Sequence, residues 1–410
     1  MTFPIKWVRA QFPSLALTDG GKQRIYLDNP AGTQVPQAVI DAVADCYLRS
    51  NANQGGYFPT SVGADTVVDG AHSAMGDFLG TDDASEIIIG ASTTTLGFHM
   101  SRSICRDFQP GDEIVVTRMD HEGNVAPWLE IANDKGLVIR WVEFDTDSWQ
   151  IEPEALRNVL SPRTRLVALN YASNMTGAVN DVKALVAEAK SVGALTYIDA
   201  VQLAPHSLID VVALGCDFLV CSPYKFFGPH LGVFWGRRDL LQAMHAYKCR
   251  CVPDQLPSKF ETGTPAIELL AGLTAAVDYL VGLGDKVTRR ASLIAAFEAC
   301  ETYEAILTQH LITGLQNIPN LEIIGPIVSN QPRVPTVSFR HKTLVPDVFA
   351  KALSEENIFV WSGHNYAIGI VTQLGIPEHE GVVRIGPAHY NTLEEIDQTL
   401  AAIHQIAAKG

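Results

Sequence analysis

The chain has 410 residues and carries 30 Lys+Arg against 45 Asp+Glu, a formal net charge of −15. That surplus of acid repels phosphate backbones and anionic lipid, so neither nucleic acid nor a membrane surface is expected as a partner. With 47% hydrophobic and 18% charged residues, the composition is that of a globular protein rather than a disordered or fibrous one, and the length predicts two domains.

The first sixteen residues hold Lys6 and Arg9 in a short amphipathic stretch without an apolar signal core. The seven cysteines are scattered and contain no CxxC pair, which fits a reducing compartment and offers no metal module. A cytoplasmic location with no metal site is therefore expected. From about residue 65 to 240, short apolar runs at 86–89, 113–117, 138–142, 165–169, 195–199, 218–221 and 231–235 alternate with helical patterns such as 181–192. That rhythm predicts an α/β fold whose mostly parallel sheet is covered by helices on both faces. The apolar stretch 268–283 is broken by Glu268 and Asp278, too polar for a simple membrane span.

Beyond it the rhythm changes. A long helical pattern at 286–317 precedes strand candidates at 321–324, 336–339, 358–361 and 382–385, then a terminal helix from Leu393. A smaller α+β domain is expected there, joined by the N-terminal segment: residues 20–282 form the large domain, and 1–19 with 283–410 the small one.

Ligands of open α/β sheets bind at the carboxyl ends of the strands, and four segments there carry chemistry. Asp199 closes the strand at 195–199; its carboxylate suits a metal, a ribose, a cationic ring nitrogen or a helix cap. Lys225 follows the strand at 218–221, between Tyr224 and Phe226, where partial desolvation lowers an amine pKa and permits Schiff-base chemistry; with Ser222 it also spells a Ser-x-x-Lys pair of the kind some hydrolases use. The run Gly90–Gly97, with Thr94 and Thr95, follows a strand and opens a helix, which suits a phosphate or a plain helix cap. His121 follows the strand at 113–117, placed to stack on a planar ring, act as a base or satisfy the core. Taken together, phosphate donors, a ring stacker, an acid for a pyridinium and an amine for an aldehyde match the needs of pyridoxal 5'-phosphate (PLP).

These residues resemble the fold-type I enzymes of aminotransferase class V, in the cysteine desulfurase-like branch. The resemblance runs from the Tyr-Leu-Asp-Asn-Pro-Ala-Gly segment at residue 26 to the Arg-Ile-Gly-Pro-Ala-His segment at residue 384. It implies Lys225 as the lysine that holds PLP through a Schiff base, Asp199 as the pyridinium partner and His121 as the ring stacker. Asn174 and Gln202 then match contacts to the phenolic oxygen, and Thr94, Thr95 and Ser222 match phosphate ligands. Tyr224 stands where desulfurases usually have a phosphate-touching histidine. Thr264 matches a threonine that reaches the neighbouring subunit's phosphate, which implies a homodimer. Arg384 matches the arginine that takes the substrate α-carboxylate, a role that would also satisfy a guanidinium among valines and isoleucine, and Asn29 lies in a matching substrate-binding segment.

The match breaks at one place. Desulfurases carry a nucleophilic cysteine in a segment beginning Val-Arg-Thr-Gly-His; here the chain reads Val-Trp-Ser-Gly-His-Asn-Tyr-Ala from residue 360. Tyr366 stands in the cysteine's position and Trp361 replaces an arginine. A phenol does not accept sulfur as a thiolate does, so the persulfide cysteine is absent. Trp361 and Tyr366 are expected to form an aromatic wall for a bulkier or less polar substrate side chain. The expected activity is that of a PLP-dependent enzyme acting on an amino acid or amine through an external aldimine, as a C–S lyase or β/γ-eliminating enzyme. A class V aminotransferase, an epimerase, a PLP-dependent cyclase or decarboxylase, and a catalytically silent binding module are the alternatives.

Overall fold

The computed structural model describes residues 3–328 and 331–409. The apolar runs of the first 240 residues form one seven-stranded sheet, with strands β1 (Ile87–Gly90), β2 (Glu113–Thr117), β3 (Val138–Val142), β4 (Thr164–Asn170), β5 (Leu195–Asp199), β6 (Phe218–Cys221) and β7 (Gly232–Gly236). Their spatial order is β1-β7-β6-β5-β4-β2-β3. Only β7 runs against its neighbours; the remaining pairs are parallel. Alternate residues feed opposite cores: Val115, Val167 and Ile198 on one face, Ile114, Leu166 and Tyr197 on the other. Every residue of β2 and β6 is buried, which is why these strands read as unbroken apolar runs rather than alternating ones.

Helices α1 (Thr93–Ile104), α2 (Ala126–Lys135) and α3 (Val182–Ser191) lie in the β1–β2, β2–β3 and β4–β5 connections. Helix α4 (Ile267–Gly284) is long and apolar enough to cross a membrane by length and composition. Here it packs against the helices Gln37–Arg49, Pro59–Leu79 and α5 (Arg289–Gln316), with Leu270, Leu273 and Val277 in the main core.

A second, antiparallel sheet contains β8 (Leu321–Ile324), β9 (Val337–His341), β10 (Trp361–Gly363) and β11 (Val382–Ile385) in the order β8-β9-β11-β10. Leu307 and Leu311 of α5 and Ile396 and Ile403 of α6 (Leu393–Ala407) share its core with Val337 and Val383. The long helix begins later than its sequence pattern, at Arg289, because Thr288 caps it by accepting from the Ala291 N–H. The single strand expected at 358–361 is two. Ile358–Phe359 pairs in parallel with Ile25–Tyr26, and the chain then crosses to the four-stranded sheet at Trp361.

The N-terminal helix Ile5–Ala10 and the residues just after it touch both halves of the chain. Phe12 packs against Phe227 and Tyr390 at ring distances of 5.8 and 4.7 Å, and Arg9 pairs with Glu395 at 2.8 Å.

Candidate active site

Because β5 and β6 are parallel neighbours with Asp199 opposite Val220, their carboxyl ends deliver Asp199 and Lys225 to one cleft, also lined by Thr94, His121, Asn174 and Gln202. Lys225 closes the short turn Pro223–Lys225 and is 8% exposed. Its Nζ donates to the Pro30 carbonyl. Burial, then the positive charge of Arg384, pull the amine down to about 7. Asp199 accepts the Val201 N–H at 2.9 Å. Burial outweighs that bond and the nearby Lys225 charge and lifts the carboxyl to about 6. An amine that is neutral part of the time and an acid that gains from a cationic partner thus share one dry space.

His121 caps the turn Glu122–Asn124, its Nδ1 accepting the Gly123 N–H at 2.8 Å. Burial, with Lys225 and Arg384 nearby, pushes the ring down to about 4, so at neutral pH it is an uncharged plane with its proton on Nε2. On the same side lies the N-terminus of α1. Ser92 caps it by accepting from the Thr95 N–H at 3.1 Å, and its hydroxyl also meets Thr95 Oγ1 at 2.8 Å. This ties Thr95 to the cap, and Thr93 and Thr94 line the cleft instead. Ser222 is buried with its hydroxyl 2.9 Å from Thr93 Oγ1, so it is engaged with the phosphate-side hydroxyls and not with the Lys225 amine. Gly232 permits this packing: a Cβ there would lie 2.2 Å from the Ser92 carbonyl carbon. Tyr224 lines the cleft with its ring stacked on His230 at 5.0 Å. Thr264 is exposed and lies outside the cleft of its own chain.

The C-terminal part of the chain roofs the cleft. Asn174 Nδ2 donates to the Asn365 carbonyl at 2.8 Å, and the Glu122 N–H donates to the Tyr366 carbonyl at 2.8 Å, pinning the turn that carries Tyr366. The Tyr366 ring is 65% exposed and its centre is 5.5 Å from that of His121. Trp361 lies directly opposite Arg384 across β10 and β11, so the two side chains share a face.

Arg384 is buried and paired with Asp28 at 3.1 Å, and it donates to the Asn174 carbonyl at 3.2 Å. The pairing expected from a substrate is therefore partly supplied by the protein, but Nε has no partner. Asn29 does not line the cleft: its amide nitrogen donates to Gly386 O at 2.7 Å and Asn391 Oδ1 at 3.2 Å, and its oxygen accepts from the Tyr390 hydroxyl. Both ends are spent on joining the N-terminal segment to the region after β11, and the neighbouring Pro30 carbonyl is what reaches Lys225.

Sequence reasoning missed Thr93, Asp28 and Asp120. Thr93 stood in the same Ser/Thr run as Thr94. Asp28 becomes visible only through its pairing with Arg384. Asp120 is buried against Thr117, Asn124 and the Asp199 charge, which with burial holds its carboxyl well above the usual range; nothing in the local pattern distinguishes it from a turn residue.

The cleft fits PLP. Asn174 Oδ1 and Gln202 Oε1 are buried without partners, a cost that a bound polar group removes. Free N–H groups at the start of α1 suit a phosphate, the neutral His121 face suits a ring, and Asp199 suits a protonated ring nitrogen. Fold and cleft together define a fold-type I enzyme of the PLP-dependent class.

The chain belongs to the aminotransferase class-V family, whose model matches residues 25–399. Within it the chain is cysteine desulfurase-like. It is 32% identical over 421 residues to a cysteine desulfurase of Pectobacterium carotovorum, covering 99% of this chain and 98% of that one. It is 31% identical over 414 residues to the aminotransferase-like protein FGM3 of Gibberella zeae, with 99% of each covered. Among solved structures, the cysteine desulfurase CsdA of Escherichia coli in its S-sulfonic acid form superposes with a TM-score of 0.86 at 26% identity, covering 100% of both chains. The apo cysteine desulfurase of Thermococcus onnurineus gives 0.89 at 27% identity, covering 100% of this chain and 99% of that one.

Proposed function

We propose that the chain binds PLP at Lys225 and catalyses β- or γ-elimination on an amino acid, releasing the side-chain sulfur or an equivalent leaving group directly to solvent. What supports this reading is the contrast between a cleft floor that gathers Lys225, Asp199 and His121 and a roof that presents Tyr366, which by the resemblance stands in the position of the family's nucleophilic cysteine. Of the seven cysteines, five are buried and the exposed pair, Cys249 and Cys251, lies outside the cleft.

Bound PLP supplies an electron sink for bond cleavage at Cα. The chain's residues do the rest. Asp199 holds the ring nitrogen protonated, and His121 covers one ring face. Arg384, through its free Nε, orients the substrate carboxylate. In β-elimination the Lys225 amine, freed when the substrate amine takes its place, would take the Cα proton while the Cβ–S bond breaks and the thiolate leaves. In γ-elimination it would also move a proton from Cβ before the Cγ–S bond breaks. In both cases one water would hydrolyse the remaining imine to a keto acid and ammonia. Trp361 and Tyr366 border the space for the departing side chain.

The test is incubation of the yellow holoenzyme with a panel of thiol and thioether amino acids, assaying sulfide or thiol, keto acid and ammonia. Matched release of all three supports elimination; colour and substrate-induced spectral change without any of them sinks it. A colourless protein that takes up no PLP would overturn the enzyme reading altogether.

The same reading includes a cytoplasmic homodimer in which Thr264 reaches the neighbouring site, supported by its exposure and by the exposed Tyr47, Leu48, Tyr57 and Phe58. It also includes a large domain at 20–282, with 1–19 and 283–410 as the small one. Light scattering tests the dimer; a monomer at working concentration counts against it.

A further inference from the structure

A second cavity, of about 390 Å³, opens away from Lys225 between α5, the turn that follows Asp199 and the strap at 332–335. Its polar lining has both signs of charge. His206 is 4% exposed and points its Nδ1 at Glu304 Oε2, 2.9 Å away; among the described residues its Nε2 makes no hydrogen bond. Glu304, itself buried, keeps Oε1 without a hydrogen bond, 3.9 Å from His389 Nδ1, and Glu301 stands at the rim, accepting from the Ser207 hydroxyl. Opposite them is Arg333, whose guanidinium donates to the carbonyls of Pro326, Val334 and Thr336. It forms no ion pair among the described residues, and burial lowers it to about 10. Leu203, Ile312 and Ile327 supply the apolar wall.

Arg333 is half-buried with no counter-ion among the described residues, and His206 Nε2 has no protein hydrogen-bond partner among them, so a ligand that brings an anion to the first and a donor to the second is complementary to both. One ligand answers both: a carboxylate at Arg333, an ammonium at His206 Nε2 and the Glu301 edge, and an apolar side chain against Leu203 and Ile312. We infer that this cavity is an accessory site for an apolar α-amino acid bound as a zwitterion, separate from the catalytic cleft. The aliphatic wall of Leu203, Ile312 and Ile327 suits a branched aliphatic side chain such as that of leucine. The strap that closes it continues to Thr336, whose hydroxyl accepts from Gln202 Nε2 at 3.1 Å, so the ligand would bear on a residue of the cleft.

The inference does not depend on the proposed elimination, and its test separates the two sites. The holoenzyme is titrated with L-leucine by calorimetry, alongside Ala305→Trp, which blocks the cavity mouth from an exposed position on α5, and Arg384→Ala, which alters the cleft. A binding event lost in Ala305→Trp and kept in Arg384→Ala is expected. With 4-methylpentanoate or 3-methylbutylamine, each lacking one charge, binding should weaken about tenfold or more. A leucine signal that survives Ala305→Trp, the absence of any signal that this variant removes, or equal binding of the singly charged analogues would each overturn the site.

Discussion

The floor and the roof of the cleft are built on different terms. On the floor, Asp199 and Lys225 stand at the ends of adjacent buried strands whose register leaves them little freedom, and His121 is held by its own turn. The roof is a turn from the other sheet, fastened by two backbone-directed bonds to Asn174 and Glu122, and its side chains Trp361 and Tyr366 are largely exposed. On the function proposed above, the floor sets what can be done to a Cα bond, and the roof sets what leaves and where it goes. A family can therefore keep the first while changing the second, and the resemblance implies such a change at Tyr366.

The largest effect should come from the floor. Lys225→Ala should abolish the borohydride-sensitive visible band and lower turnover by about three orders of magnitude or more; a variant that stays coloured and active would place the chemistry elsewhere. Asp199→Asn should bind PLP, yet lose about two to three orders of magnitude in kcat because the ring nitrogen loses its anion. Comparable losses in affinity and rate would instead mean that Asp199 mainly holds the cofactor.

At the boundary between floor and roof, Arg384→Ala should raise KM for α-carboxylate substrates by about ten- to a hundredfold and leave amines without a carboxylate almost untouched. An equal effect on both would reduce Arg384 to its Asp28 pairing.

A milder effect follows from the Lys225 pKa of about 7. The neutral amine is the nucleophile, and its share grows as pH rises through that value. Stopped-flow absorbance should therefore show apoenzyme capturing PLP roughly tenfold faster at about pH 8 than at about pH 6, and a flat profile would contradict the depressed amine. The smallest change is expected from the roof. Tyr366→Cys should leave elimination within about threefold and yield no stable persulfide, since the turn is pinned at Asn365 and Tyr366 and a persulfide needs a carrier that can move. Appearance of a persulfide by mass spectrometry would show that the residue alone, and not the pinned turn, separates this chain from desulfurases.

Much of the floor was legible because each of its residues directly follows a run whose periodicity marks a buried strand, and strand ends in parallel sheets converge. Thr95 and Asn29 were not resolvable in this way. Thr95 shares its hydroxyl-rich run with Thr93 and Thr94, and only the cap at Ser92 decides which hydroxyl turns inward. Asn29 has a suitable amide, but its partners Gly386 and Asn391 lie more than 350 residues away in the chain. The strand expected at 358–361 was misjudged for a related reason: the apolar run is continuous, while the switch between sheets depends on the partners at Ile25 and Arg384.

By itself, the sequence determined the α/β rhythm, the acidic balance and the amine, acid and imidazole of the cleft, because composition and period are local properties of the chain. Only the tertiary structure decided that Asp28 shares Arg384, that the Tyr366 turn is pinned over His121, and that His206 and Arg333 line one second cavity. Those are contacts between segments far apart in the chain, and burial there sets both their charge states and their cost.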